Sequence, residues 1–145
     1  VGISFGIAKP ALSSSLRWLL SLEFYEENIM AKNRVDKPWG CYVDYFRNNQ
    51  VVFKKIMVLP GQKLSYQFHN NRHEFWYVVS GDGMLTLKGE EIKMVPGDYV
   101  VIEKKEEHMI EAISDEVLVI YEMQIGSPSE DDIVRLQDKY GRAEK

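Results

Sequence analysis

The chain has three histidines, His69, His73 and His108, and they are the first residues to weigh for chemistry. The first two stand in "SYQFHNNRHEFWYVVSG", Ser65 to Gly81, with Arg72 and Glu74 between and beside them. Imidazole nitrogens and carboxylate oxygens of this mix suit Zn²⁺ and, less selectively, other first-row divalent ions. Whether they converge depends on direction. Strand side chains alternate between faces, so position parity carries the argument. In "KLSYQFH", Lys63, Ser65, Gln67 and His69 share one face, and Leu64, Tyr66 and Phe68 the other. In "EFWYVVSG", Glu74, Trp76 and Val78 oppose Phe75, Tyr77 and Val79, and the strand reads as covered on both sides. Glu74 at its start then needs a partner, because a buried unpaired carboxylate is expensive. A divalent cation is one such partner. His108 has the parity of Ile110 and Ala112, which points it inward; His73 has the parity opposite to Glu74 and reads as outward. Gln67, His69, Glu74 and His108 are thus compatible with one metal site. The plain alternative is a set of polar residues standing singly on a sheet.

Other side chains qualify for a substrate. Arg72 carries a planar donor fork suited to phosphate or sugar hydroxyls. Lys54 shares parity with Ile56 and Val58 and so points inward, with Lys55 outward. An inward lysine meets an anion or, with a depressed pKa, serves as a base. Lys63 and Ser65 lie on the ligand face and are placed to line a pocket. Trp39 and Trp76 read as core.

The elements that must position these residues follow from pattern. Residues 1–35 carry Leu12, Leu16, Leu19 and Leu20 at helical spacing behind serines that can cap, so one amphipathic helix is expected there. From Trp39 to Ile125, short runs alternate and are bounded by Gly, Pro, Asp or Asn: "VVFKKIMVL", "KLSYQFH", "EFWYVVSG", "GMLTLKG", "EIKMV", "DYVVIE", "HMIEAI" and "EVLVIYEMQI". Short strands without intervening helices argue for an all-β sandwich or barrel. In "SPSEDDIVRLQDKYGR", Ser127 to Arg142, serines precede three acidic residues, and Lys139 and Gly141 follow. That order reads as a capped C-terminal helix. Residues 36–145 are expected to form the main domain.

Totals bound the partners. A net charge of −4 offers no broad basic field, so nucleic acid is not expected. The single cysteine, Cys41, forms no internal disulfide, which fits a reduced cytoplasmic setting. No apolar run approaches the roughly 18 residues that span a bilayer, and "LRWLLSL" lacks the flanks of a signal peptide.

The stretch "GQKLSYQFHNNRHEFWYVVSG" fits the first cupin motif, with Gly61, His69, Glu74 and Gly81 in register and Gln67 in place of the first histidine. A second motif begins at Gly97 and reaches His108. With "KPWGCY" before and "EDDIVRLQDKYGR" after, the chain resembles the type II phosphomannose isomerase cupin over Asp36 to Arg142. That cupin is usually the C-terminal domain of a bifunctional mannose-1-phosphate guanylyltransferase/mannose-6-phosphate isomerase. The resemblance implies a double-stranded β-helix (a jelly-roll barrel) and the metal set Gln67, His69, Glu74 and His108. It implies zinc, with Mn, Co, Ni or Fe as alternatives, and interconversion of mannose-6-phosphate and fructose-6-phosphate through an enediol. Arg72, Lys54, Lys63 and Ser65 would bind substrate, and Lys54 or a metal-bound water is the candidate base. A guanylyltransferase domain does not fit before Asp36, so that activity is not expected. "EKKEEH" lacks the motif's proline and glycine, and Ala112 replaces its asparagine. These departures keep a non-catalytic sugar- or sugar-phosphate-binding cupin open as the alternative. A homodimer is expected, because small cupins often pair and the N-terminal helix offers an apolar face.

Overall fold

A computed structural model describes residue 28 and residues 32–143. The compact unit considered below spans Asn33–Lys145. The helix expected at Leu12–Leu20 lies outside the described residues.

Among the described residues eleven strands make two antiparallel sheets. In chain order they are β1 (Arg34–Lys37), β2 (Gly40–Arg47), β3 (Val51–Val58), β4 (Tyr66–His69), β5 (Arg72–Ser80), β6 (Gly83–Leu87), β7 (Glu90–Met94), β8 (Tyr99–Ile102), β9 (His108–Ala112), β10 (Leu118–Gly126) and β11 (Ile133–Gln137). The first sheet runs β1-β2-β3-β10-β5-β8 and the second β11-β4-β9-β6-β7. From β3 onward successive strands alternate between the two sheets, apart from the β6–β7 hairpin, as in a jelly roll.

Alternation explains the core. In β3 every second residue is buried, namely Val52, Lys54, Ile56 and Val58. In β10 the inward set is Leu118, Ile120, Glu122 and Gln124. Ile56, Val58, Trp76, Leu85, Ile110 and Ile120 belong to one buried cluster. The inward set of β10 is thus apolar at one end and polar at the other, and in β3 Lys54 stands between Val52 and Ile56. The outer face of β5 corrects the expectation of cover on both sides. Tyr77 is 40% and Val79 41% exposed, and Phe75 stacks on Tyr99 at the surface. Among the described residues no helix is long and apolar enough to cross a membrane.

The C-terminal helix is the second correction. Ser129 does cap, its side chain accepting from the Asp131 N–H, but the helical turn lasts only Glu130–Asp132. The chain then extends as β11 and pairs with β4, Ile133 opposite His69 and Arg135 opposite Gln67. Asp132 explains the early stop. Its Oδ1 accepts from Asn70 N at 3.1 Å and Asn71 Nδ2 at 2.8 Å, and its Oδ2 from Asn71 N at 3.0 Å. These bonds pin the turn onto the β4–β5 connection. The β-branched Ile133 and Val134 favour continuing as a strand beside β4. Gly126 completes the junction: its φ is +131°, and a Cβ there would lie 2.4 Å from Asn71 O.

Asp132→Ala leaves the Asn70 and Asn71 amides without their acceptor. It is expected to lower the unfolding free energy by about 2–4 kcal/mol in urea titration. Asp131→Ala, on the exposed side of the same turn, should change it little.

Candidate metal centre and cleft

Both sheets contribute to the centre, and register sets the contributors. Across the first sheet, Asp44, Lys54, Glu122 and Trp76 are successive Cα partners. One step along, Gln124 lies opposite Glu74. Across the second sheet, Arg135, Gln67 and His108 form a similar row. Directly opposite residues share a face, so these two polar rows are brought inside the barrel.

Glu74 is at the focus. It is 2% exposed, and its Oε1 accepts from Arg72 Nε at 2.8 Å while Oε2 accepts from Trp76 Nε1 at 3.1 Å. His69 Nε2 lies 3.1 Å from Oε1 and His108 Nε2 3.4 Å from Oε2. Burial opposes the charge, but the imidazoles of His108 and His69 hold Glu74 well below the usual carboxylate range.

The outer nitrogens of the two rings are assigned by their partners. His108 Nδ1 is 2.8 Å from Glu106 O, and His69 Nδ1 is 3.4 Å from Asp132 O. A carbonyl only accepts, so both rings carry a proton on Nδ1; as imidazolium they also donate from Nε2 to Glu74, and when neutral they turn the Nε2 lone pair toward it. Arg72 Nη2 donates to His69 Nε2 at 3.3 Å. His108 Nε2 is buried with no hydrogen-bond partner among the described residues. The ligand atoms of His69, Glu74 and His108 lie within 4.8 Å of one another. Converging Nε2 lone pairs and a carboxylate form a donor set that a divalent cation fits. Gln67 stands opposite His108 on β4, and its Oε1 accepts from Ser65 Oγ at 2.6 Å.

Beside this cluster a cleft encloses about 510 Å³, including its open mouth. Lys54, Ser65, Gln67, Arg72, Glu122 and Gln124 are among the residues on its wall. Several expected roles change here. Arg72 is not in an exposed turn but buried at the start of β5, where Nη1 donates to Ser129 O at 2.7 Å. Ser65 holds Gln67 in place. Lys63 is absent from this cleft and lines a separate depression with Glu111, to which its Nζ comes within 3.8 Å. Lys54 is buried as parity implied, with Nζ 2.7 Å from Glu130 Oε1 and 4.3 Å from the Tyr42 ring centre. A role as base asks for a depressed pKa, and the surroundings of Lys54 act the other way. Burial works against the charge, but Glu122 and Glu130 outweigh it and hold Lys54 above the ordinary lysine value. His73 lies outward as parity implied, paired with Glu103 at the surface.

Glu122 was missed by sequence reasoning. Its Oε1 accepts from Trp76 Nε1 at 3.1 Å and its Oε2 from Gln124 Nε2 at 2.9 Å. Burial first, then the Glu74 charge, pushes its carboxyl up to about 8. The signal was its parity with Ile120 in an apolar strand.

Stripping the protein with a chelator and adding back Zn²⁺ or Co²⁺ is expected to raise its melting temperature. Saturation at a hundredfold excess over Kd corresponds to about 2.7 kcal/mol. His108→Ala should abolish both the shift and the bound metal by elemental analysis. Equal metal content in His108→Ala and the unaltered protein would remove the centre proposed from these residues.

Comparisons with known proteins agree with the architecture. A mannose-1-phosphate guanylyltransferase of Salmonella montevideo is 37% identical over 126 residues, covering 85% of this chain and 26% of the relative. The chain spans about a quarter of the length of the curated relatives it matches. Among solved structures, KdgF from Halomonas sp. superposes with a TM-score of 0.61 at 20% identity, over 70% of this chain and 91% of that one. The Cnp3 cupin domain of Schizosaccharomyces pombe gives 0.58 at 10% identity, over 60% and 64%. Identities this low speak for the fold alone, and that fold is the cupin. The family model described as "Mannose-6-phosphate isomerase C-terminal" matches residues 25–138, and the chain belongs to that family.

Proposed function

We propose that this unit is a metal-dependent sugar-phosphate isomerase that interconverts mannose-6-phosphate and fructose-6-phosphate through an enediol. The observation that carries the reading is the buried His69–Glu74–His108 cluster, with the unpartnered Nε2 of His108 facing Glu74, beside a cleft lined by cations. Membership of the family and the guanylyltransferase relatives support mannose phosphates as the substrate class.

His69, Glu74 and His108, with Gln67 as a fourth candidate, would hold the metal. A divalent ion supplies Lewis-acid stabilisation to negative charge on the sugar's carbonyl and hydroxyl oxygens. The remaining work falls to side chains of the cleft. Isomerisation moves one proton between adjacent carbons and another between their oxygens. Glu122 presents a carboxyl on the cleft wall, positioned by Trp76 and Gln124, and is the group placed to carry a proton there. Lys54 stays charged and stabilises anionic oxygen nearby. Arg72 is committed to Glu74 and Ser129, so it orients the ligand carboxylate rather than gripping substrate.

A purified sample loaded with Zn²⁺, Mn²⁺ or Co²⁺ is expected to convert mannose-6-phosphate. Glu122→Gln should cut kcat about a hundredfold or more while metal content stays unchanged. Calorimetric binding of mannose-6-phosphate without turnover under any metal would replace this reading with the non-catalytic binding cupin.

A further inference from the structure

Five cationic side chains line the cleft: Lys37, Lys54, Arg72, Arg135 and Arg142. They differ in what they already hold. Lys54 is paired with Glu130 at 2.7 Å. Arg72 spends Nε on Glu74, Nη1 on Ser129 O and Nη2 on His69. Arg142 is gripped by Asp138, with Nη2 2.6 Å from Oδ1 and Nε 3.1 Å from Oδ2. Arg135 and Lys37 have no carboxylate within ion-pair distance among the described residues. Arg135 Nε is moreover buried without a hydrogen-bond partner, while Lys37 Nζ sits 5.6 Å above the Tyr42 ring.

A buried guanidinium N–H left unpaired is costly, and more so than a neutral donor. The cost is removed by an anion whose oxygens reach it. A phosphoryl group suits a guanidinium fork and a neighbouring ammonium, since it offers several acceptor oxygens and up to two charges.

Position completes the argument. Arg135 lies opposite Gln67, and Gln67 opposite His108, so Arg135 stands one strand from Gln67 and two strands from His108 on the same inner face. Two interstrand spacings put about 9–10 Å between the Arg135 and His108 backbones. Arg135 is therefore on the cleft wall beside the cluster without belonging to it, where one end of a ligand could be held while the other faces the cluster.

We propose that Arg135, assisted by Lys37, is the seat for the phosphoryl group of the substrate in this cleft. The inference rests on the sugar-phosphate reading for the rest of the ligand. Arg72 and Lys54 are thereby released from the phosphate role that their residue types suggested. The seat fixes specificity for phosphorylated over free sugars, with no part in proton transfer.

The test is calorimetry on the full metal-loaded chain, with inorganic phosphate, mannose-6-phosphate and mannose as separate probes. Arg135→Gln is expected to weaken inorganic phosphate and mannose-6-phosphate by about tenfold or more, with metal content and melting temperature preserved. Arg135→Lys should recover part of the loss, and Lys37→Met should show a smaller one. If Arg135→Gln fails to fold, Lys37→Met and Arg135→Lys still decide, since affinity for phosphate must fall in both. Unaltered phosphate affinity in these variants, or no phosphate binding by the starting protein, overturns the seat. Phosphate binding that depends on Arg135 in a protein without isomerase turnover would uphold the seat and reject the isomerase. Turnover with an unchanged KM in Arg135→Gln would do the reverse.

Discussion

A carboxylate buried at 2% exposure has to be compensated, and the site is organised around compensating Glu74. Burying an ion costs several kcal/mol even after relaxation. Arg72 and Trp76 offset this with donated hydrogen bonds, and the two imidazoles converge on the same oxygens. Each of these partners is delivered by strand register. A slip of one residue in β5 would turn Phe75 inward in place of Glu74 and undo the arrangement. The same register keeps Trp76 beside Glu122 and Gln124 beside Glu74. The polar interior is thus a consequence of pairing, and the apolar half of each strand supplies the burial that keeps the pairing fixed.

The chain after β10 is part of that centre. Ser129 offers its carbonyl to Arg72, and Asp132 offers its carbonyl to His69 and its carboxylate to the Asn70–Asn71 turn. Beyond them β11 supplies Arg135 to the cleft. One short stretch therefore orients His69, fixes the arginine that supports Glu74, and closes the edge of β4. A tail with so many buried polar contacts is tied to the site at both ends, which local composition alone does not reveal.

Parity carried most of what was legible in advance. It sorted Lys54 from Lys55, set Glu74 with Trp76, turned His108 inward and left His73 at the surface, because alternation in a strand is local geometry. It failed where the element type was misjudged. Ser129, the acidic run, Lys139 and Gly141 follow the order of a capped helix, and the Ser129 cap does form. What cannot be read locally is that β4 has an open edge waiting for a partner. Pairing with it outweighs helix propensity after one turn. Glu122 was passed over for a different reason. A lone glutamate in "EVLVIYEMQI" looks like the polar face of a half-exposed strand until its alignment with Glu74 is known.

Lys54 and Glu122 show why residue type and burial together do not assign a role. They face each other in register and both are buried, which disfavours the charged form of each. Their neighbours then decide in opposite senses. Lys54 has carboxylates on two sides, at Glu122 and Glu130, and is held charged. Glu122 has the Glu74 charge beside it, which adds to the effect of burial and pushes it up to about 8. A lysine that keeps its proton is a fixed cation and makes a poor base. A carboxyl raised toward neutrality sits nearer the range in which proton transfer is efficient. The parity argument placed the lysine inward, and the carboxylates that the sheet brings alongside it set its charge.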